Sequence, residues 1–139
     1  MSTTDPADVL RDQFSGEVLR PGQPGYEEAR RVFNGMIDRR PAVIVRCAST
    51  ADVAAAVTAA REHGLAVAVR CGGHSFSGLS TCDDGMVIDV RGLKSIAVDP
   101  RARMARAGGG LNPRSLVISA DSPGLCPGSG ITWTGREST

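Results

Sequence analysis

Residues 70–78 are the part of the sequence best suited to chemistry, because they combine a histidine with three glycines. Without Cβ atoms the backbone turns sharply at those glycines, and its N–H groups approach a ligand closely. Consecutive amides of this kind form a nest for an anion such as a diphosphate. We expect Arg70, at the mouth of the loop, to add positive charge. The glycines are Gly72, Gly73 and Gly78.

A β-α-β unit precedes this loop. Residues 41–46 and 65–69 are short apolar runs rich in β-branched side chains, which predicts two strands, the first of them buried. Such a unit is expected to be parallel and right-handed. Because ligands bind beyond the carboxyl ends of parallel strands, residues 70–78 occupy a position that suits a binding loop.

The helix of this unit is predicted from its two ends. Ser49 and Asp52 have the spacing of a capping box, and Gly64 after His63 is typical of a helix end, which leaves His63 as a cap without a further function. The buried face is predicted to carry valine and alanine at helical spacing, with charged side chains in solvent. The buried set is Val53, Val57 and Ala60; the solvated pair is Arg61 and Glu62.

The rest of the chain supplies weaker signals. Residues 26–33 predict a short helix with Ala29 and Phe33 on one face, and no element is assigned before it. After the loop, three further strands are expected, the last two as a hairpin around Asp99-Pro100. Asn112-Pro113 predicts the start of a helix over 113–120. The three strands are 86–90, 95–98 and 104–107, and the glycine triplet that follows them is 108–110.

Two common nucleotide motifs are absent from the sequence. Neither GxGxxG nor GxxxxGK[ST] occurs, and the loop at 70–78 leads to a strand rather than to a helix. A nicotinamide site of the Rossmann type and a P-loop therefore both fit badly.

The order of these segments resembles that of FAD-linked oxidases. The chain is similar to the flavin-binding domain of the p-cresol methylhydroxylase type, in its berberine bridge enzyme-like branch, over about residues 26–125. The resemblance is carried by residues 26–34, 44–46 with 52–53, 68–75, 87–90 and 107–110. It implies an α+β fold, in which a small parallel β-α-β subdomain is followed by the start of a second, mixed or antiparallel sheet.

The resemblance also implies the cofactor and the residues that hold it. FAD is expected, with a covalent bond from a ring nitrogen of His74 to the 8α-methyl group of the flavin; the alternative for this side chain is a histidine satisfied by loop carbonyls. Ser75 and Ser77 are candidate hydroxyl donors or ordinary loop residues, and Asp89 is expected to make a structural hydrogen bond. Cys71 stands where the family usually has a third glycine. The expected cofactor-binding residues are Arg70, Cys71, Gly72, Gly73, His74, Ser75, Phe76, Gly78, Gly109 and Gly110.

Composition narrows the possible partners. The 16 basic and 15 acidic side chains nearly balance, which argues against nucleic-acid binding through bulk charge. No signal peptide or apolar run of about 20 residues occurs, so we expect a bacterial cytoplasmic protein without a membrane partner. The four cysteines form no CxxC pair, which predicts reduced thiols and no metal site. Cys126 is interpreted as a loop thiol rather than a second flavin ligand.

Two functional hypotheses follow. In the first, the chain binds FAD as part of an oxidoreductase that moves a hydride from a substrate C–H bond to FAD and then passes electrons to oxygen. In the second, it is a catalytically inactive, truncated FAD-binding fragment. Residues 1–25 are expected to lead into a partial FAD-binding domain at 26–139, which ends before the second glycine-rich segment and the substrate domain of the family. A complementing chain or self-association stays open, as does a non-nucleotide interaction module if the protein is colourless.

Overall fold

The computed structural model describes residues 5–11 and 14–111, which form two sheets and three helices. The helices α1, α2 and α3 are Pro6–Arg11, Tyr26–Arg30 and Thr50–Glu62. The strands β1 to β6 are, in order, Glu17–Leu19, Val43–Arg46, Val67–Arg70, Met86–Asp89, Ile96–Asp99 and Met104–Ala107. The predicted helix at 113–120, its Asn112 cap and Cys126 lie outside the described residues.

The larger sheet has the order β1-β2-β4-β3. β2 and β3 both run parallel to β4, and β1 is antiparallel to β2. The predicted β-α-β unit is therefore present as β2-α3-β3 with parallel strands. β4 lies between its two strands, because the crossover through α3 skips one position. The second sheet is the predicted antiparallel hairpin, β5 with β6.

The α3 helix begins as predicted. Ser49 is its N-cap, with its hydroxyl accepting from the Asp52 amide at 3.2 Å, while the Asp52 carboxylate accepts from the Ser49 amide at 3.2 Å. His63 caps the other end, and its Nδ1 lies 2.8 Å from the Ala59 carbonyl oxygen. Gly64 follows with a φ of +63°, a conformation that favours glycine.

The buried face of α3 differs from the predicted one. Val57 is 49% exposed and Val53 is only half-buried, whereas Ala56, Ala59 and Ala60 are buried against the sheet. Alanine side chains let the helix axis approach the strands more closely than valines would. The prediction for Val57 was wrong for this reason, whereas Arg61 and Glu62 are exposed as expected.

Each face of the larger sheet has its own hydrophobic core. α1 and α3 cover the face that carries Val45 and Ile88, and α2 covers the face that carries Ile44 and Val87. Alternate residues of a strand point to opposite faces, so two short apolar strands supply both cores. α1 and β1 come from the segment before residue 26, where the sequence analysis assigned no element.

α2 ends earlier than predicted. Arg31 has extended backbone angles, φ −67° and ψ 136°, and stops the helix after Arg30. Ala29 is buried, but Phe33 lies beyond the helix and is 78% exposed. The predicted pairing of these two side chains on one helical face was therefore wrong. None of the described helices has the length and apolar character needed to cross a bilayer.

Candidate functional site

Three parallel strands end side by side at one edge of the larger sheet. Arg46, Asp89 and Arg70 are the last residues of β2, β4 and β3, and they share one register across the sheet. We call this end of the sheet the carboxyl edge. It is where ligands of sheets with parallel strands bind, because the connecting loops converge there.

The segment 71–78, here the histidine loop, leaves β3 at this edge. Gly73 and Gly78 have φ of +70° and +77°, so both turn the chain in a way that favours glycine. Cys71 has no positive φ, and a cysteine in place of a third glycine is therefore accommodated without backbone strain. Within the described residues, no acceptor takes a hydrogen bond from the backbone N–H groups of residues 71–77.

The serines and Phe76 of the histidine loop have different surroundings. The Ser75 hydroxyl accepts a hydrogen bond from the Leu79 amide at 3.0 Å and lies 3.5 Å from the Ser77 hydroxyl. Ser75 therefore supports the turn, which is the structural role left open for it. Ser77 is exposed, and Phe76 is 91% exposed.

His74 lies on the outside of the histidine loop. Its side chain is exposed, and neither ring nitrogen has a hydrogen-bond partner among the described residues. The ring centroid is 5.1 Å from that of Phe33, with the planes inclined at 56°. The sequence left open that the His74 ring is hydrogen-bonded to backbone carbonyls of the loop. The structure shows no such hydrogen bond among the described residues.

The chain after α2 anchors the histidine loop. The Phe33 amide donates to the Gly73 carbonyl at 3.0 Å, and the Asn34 side-chain amide donates to the Phe76 carbonyl at 3.1 Å. Gly78 packs against Ile37, since a Cβ at position 78 would come within 3.0 Å of that side chain. Sequence reasoning missed this role of Phe33, Asn34 and Ile37, which a pattern of helical spacing cannot reveal.

The sequence analysis places Arg70 at the mouth of the loop, but the structure places it elsewhere. Its side chain is buried, with 7% exposure of the residue, and Nη1 donates to the Ala29 carbonyl at the end of α2. Nε has no partner among the described residues and lies 3.4 Å from where a Cβ of Gly73 would stand. Burial lowers the pKa of this guanidinium, and Arg91 adds to the effect. Arg70 therefore supports the histidine loop from beneath.

Asp89 organises the charges of the carboxyl edge. This buried carboxylate accepts from Arg91 Nη2 at 2.6 Å and from Nε at 3.0 Å, and Arg46 Nε lies 4.0 Å away. The hydrogen bonds that Arg91 donates to Asp89 raise the pKa of Arg91. The structural role predicted for Asp89 is confirmed.

A cavity of about 740 Å³ opens at the same edge, and we call it the charged cavity. Its wall carries three cations and two carboxylates, so it is positive on balance. Sequence analysis missed it, because its wall combines residues at or near β1, β2 and β4, which are far apart in the sequence. The lining residues are Gly16, Glu17, Arg46, Cys47, Ala48, Asp89, Arg91, Gly92 and Lys94.

The glycines that follow the hairpin pack against the chain after β4. The amides of Gly108 and Gly110 donate to the Ser95 and Leu93 carbonyls at 2.7 and 2.9 Å. A Cβ at either glycine would collide with a backbone carbonyl oxygen, whereas Gly109 is exposed. Close backbone approach accounts for Gly108 and Gly110, and a contact of Gly109 and Gly110 with a cofactor stays a prediction.

The described cysteines are free thiols. Burial raises the pKa of Cys47 to about 11, with Asp52 and Asp89 adding to the shift, and burial also raises the pKa of Cys82. Within residues 5–11 and 14–111, no three His, Cys, Asp or Glu side chains gather as a metal site would require.

Comparison with known proteins agrees with this architecture. The chain is 39% identical over 118 residues to (R)-6-hydroxynicotine oxidase of Paenarthrobacter nicotinovorans, which covers 85% of this chain and 26% of that protein. It is 33% identical over 115 residues to the FAD-linked oxidoreductase aurO of Gibberella zeae, covering 83% and 23%. The structure of BBE-like 1 from Physcomitrella patens matches with a TM-score of 0.76 and 27% identity, covering 84% and 25%.

The chain thus spans about a quarter of the length of these relatives. A family model described as "FAD binding domain" matches residues 41–134, which include the histidine loop and most of the carboxyl edge. The chain belongs to this family of FAD-binding domains, within the FAD-linked oxidoreductases that include the berberine bridge enzyme-like proteins.

Proposed function

We propose that the chain holds FAD along the carboxyl edge, as the flavin-binding part of an oxidoreductase, with the diphosphate on the histidine loop. The observation that carries this proposal is the run of backbone N–H groups at 71–77 that have no acceptor among the described residues. Unsatisfied amides beside a turn with positive φ form a concave site for an anion. A diphosphate supplies the oxygen acceptors that these amides lack.

The charges nearby support the same ligand. Arg46, Arg91 and Lys94 line the charged cavity, where Arg46 is paired with Glu17 and Arg91 with Asp89. The positive potential at this cavity favours an anionic ligand such as FAD. We assign the cavity to the part of FAD remote from the flavin ring.

His74 suits the flavin end of the ligand. Its ring is exposed and both nitrogens are free of partners in the described part of the chain, so the imidazole is available as a nucleophile. We propose that it bonds to the 8α carbon of the flavin. Such a bond retains the cofactor and gives the protein a means of tuning its electronics.

The wider activity rests on the family. The chemistry that bound FAD would supply is acceptance of a hydride from a substrate C–H bond and transfer of two electrons to dioxygen. The described residues contribute to this by binding and orienting FAD: the histidine loop by its amides, Arg70 and Phe33 by fixing that loop, and the charged cavity by its potential. We assign no substrate and no proton-moving group to these residues.

The test is to express the chain with FAD, precipitate it with acid, and locate the yellow chromophore by peptide mass spectrometry. We expect the mass of FAD on the peptide that contains His74, and His74→Ala should release the flavin on denaturation. His63→Asn is the matched control, because the chain has two histidines and this one caps α3. A colourless protein that shows no FAD binding in equilibrium dialysis would refute the proposal. FAD binding without turnover of candidate substrates would support the proposed FAD binding and refute the proposed oxidoreductase activity.

A further inference from the structure

We infer that Gly72 and Phe33 are positioning residues, which hold the His74 imidazole in place for its bond to the flavin. This inference rests on the proposed function and adds a geometric cause for it. The histidine loop contains two kinds of glycine, and only one kind is explained by backbone conformation. Gly73 and Gly78 have positive φ, whereas Gly72 does not.

The space above Gly72 is taken by the imidazole. A Cβ at position 72 would lie 2.6 Å from Nε2 of His74 and closer still to Cδ2. Cβ atoms in proteins essentially never come within 3.0 Å of another heavy atom in this way, so a methyl group at position 72 would displace the ring. Gly72 is itself exposed, and the backbone permits a side chain. Among the described residues, the nearest atoms that a Cβ at position 72 would meet are those of the His74 ring.

Phe33 bounds the ring on another side. Its centroid is 5.1 Å from that of the imidazole, within the range of tilted aromatic pairs. The Phe33 amide is bonded to the Gly73 carbonyl, so the phenyl ring is tied to the same loop that carries the histidine. An aromatic side chain that is 78% exposed contributes little to the core, and its contact with His74 gives it a specific role.

Positioning matters because the bond to FAD is formed once, in the bound complex. In that step one C–N bond forms between a ring nitrogen of His74 and the 8α carbon, while one N–H and one C–H bond break. The two electrons and two protons pass to dioxygen, which leaves as hydrogen peroxide. A nucleophile displaced by about 1 Å can lose roughly 100-fold in rate even when the ligand stays bound.

The experiment separates attachment from binding. The rate of acid-stable flavin formation is measured for the full chain and for Gly72→Ala, Phe33→Leu and Phe33→Tyr. The Kd for FAD is measured for the same substitutions in a His74→Ala background, where no bond can form. Gly35→Ala is the matched control, because Gly35 has no positive φ and nothing within 4 Å of its would-be Cβ.

We expect Gly72→Ala to slow attachment by at least about tenfold, since its Cβ displaces the ring. Phe33→Leu should slow it less, by about threefold to tenfold, and Phe33→Tyr should restore the rate because it keeps the aromatic face. The Kd values should stay within about threefold of the His74→Ala parent, and Gly35→Ala should match the unmodified chain in both measurements.

Attachment at the normal rate in Gly72→Ala and Phe33→Leu would overturn the inference. Equal losses in attachment rate and in FAD affinity would also overturn it, because they indicate damage to the whole loop. FAD that binds to the unmodified chain without ever becoming acid-stable would refute this inference and leave the proposed FAD binding intact. Failure of the unmodified chain to bind FAD at all would instead refute the proposed function.

Discussion

Asp52 offers a sharp test of how the chain holds its carboxyl edge together. This carboxylate is 1% exposed and accepts four hydrogen bonds, from the amides of Ser15, Ala48 and Ser49 and from the Ser15 hydroxyl, at 2.8 to 3.2 Å. It therefore caps α3, fixes the Ala48 wall of the charged cavity and ties down the chain before β1. No other described side chain joins these three segments.

The expected cost follows from these contacts. Replacing a helix N-terminal acceptor costs about 1 kcal/mol, and leaving buried amides without a charged acceptor adds about 1.5–3 kcal/mol. We expect Asp52→Ala to lower the free energy of unfolding by about 3 kcal/mol, which shifts the urea midpoint by about 1.5 M for a slope near 2 kcal/mol/M. Asp52→Asn keeps one acceptor oxygen and should cost about half as much.

The effect also depends on pH in a defined direction. Burial opposes ionisation of Asp52, but the hydrogen bonds from Ser15, Ala48 and Ser49 outweigh it and hold its pKa below the ordinary value. A lowered pKa in the folded state means that the carboxylate stabilises the protein above about pH 4, the value for an unfolded aspartate. This stabilisation disappears as the pH falls through the folded pKa.

Urea unfolding followed by far-UV circular dichroism, from pH 7 down to pH 3, measures both effects. The difference between the unmodified chain and Asp52→Asn should be constant above about pH 5 and shrink below about pH 4. Glu62→Gln, an exposed substitution near the other end of the same helix, should change stability by less than about 0.5 kcal/mol. A loss under 1 kcal/mol for Asp52→Ala, or a difference independent of pH, would refute the reasoning.

Three further predictions concern the loop, the cavity and a thiol. Gly73→Ala should destabilise the protein by about 1–2 kcal/mol in urea unfolding, because position 73 has a φ of +70°; unchanged stability would contradict the assigned turn. Arg46→Gln should raise the Kd for FAD about threefold to tenfold at low ionic strength, with a smaller effect in 0.5 M salt, while Arg106→Gln on β6 should have none. Equal effects of the two substitutions on the Kd would contradict the assignment of the charged cavity to the FAD site. Cys47, with a pKa of about 11, should resist iodoacetamide at pH 8 in the folded protein and react after denaturation, as peptide mass spectrometry can show; rapid labelling of the native protein would contradict its burial.

Local signals in the sequence predicted the elements that depend on near neighbours. The capping box at Ser49 and Asp52 and the glycine after His63 involve contacts within a few residues, so spacing alone reveals them. The hairpin around Asp99 is equally local, since its carboxylate accepts from the Arg101 and Ala102 amides. The short apolar runs predicted strands for the same reason.

Sequence patterns did not predict the elements and side-chain positions that depend on contacts between distant parts of the chain. α1 and β1 lie in a segment of weak pattern, and β1 exists because its backbone pairs with β2. Phe33 has helical spacing from Ala29, yet the backbone of Phe33 bonds to Gly73, forty residues further along the chain. Tertiary contacts of this kind override local propensity.

Arg70 shows the same division within the site. Its position before the histidine loop is plain from the sequence, but its burial beneath Gly73 and its bond to Ala29 depend on how α2 packs on the sheet.

The sequence by itself therefore determined the chemical character of the site: glycines, a histidine and serines at the end of a β-α-β unit, in an order that identifies a family. The tertiary structure alone decided which groups are free to act. It placed β4 between β2 and β3, brought Arg46 and Arg91 to Asp89, and left the loop amides and the His74 ring without hydrogen-bond partners among the described residues. The physical reason is that hydrogen-bond saturation and charge balance are sums over all neighbours in space, and most neighbours at this edge are far apart in the chain.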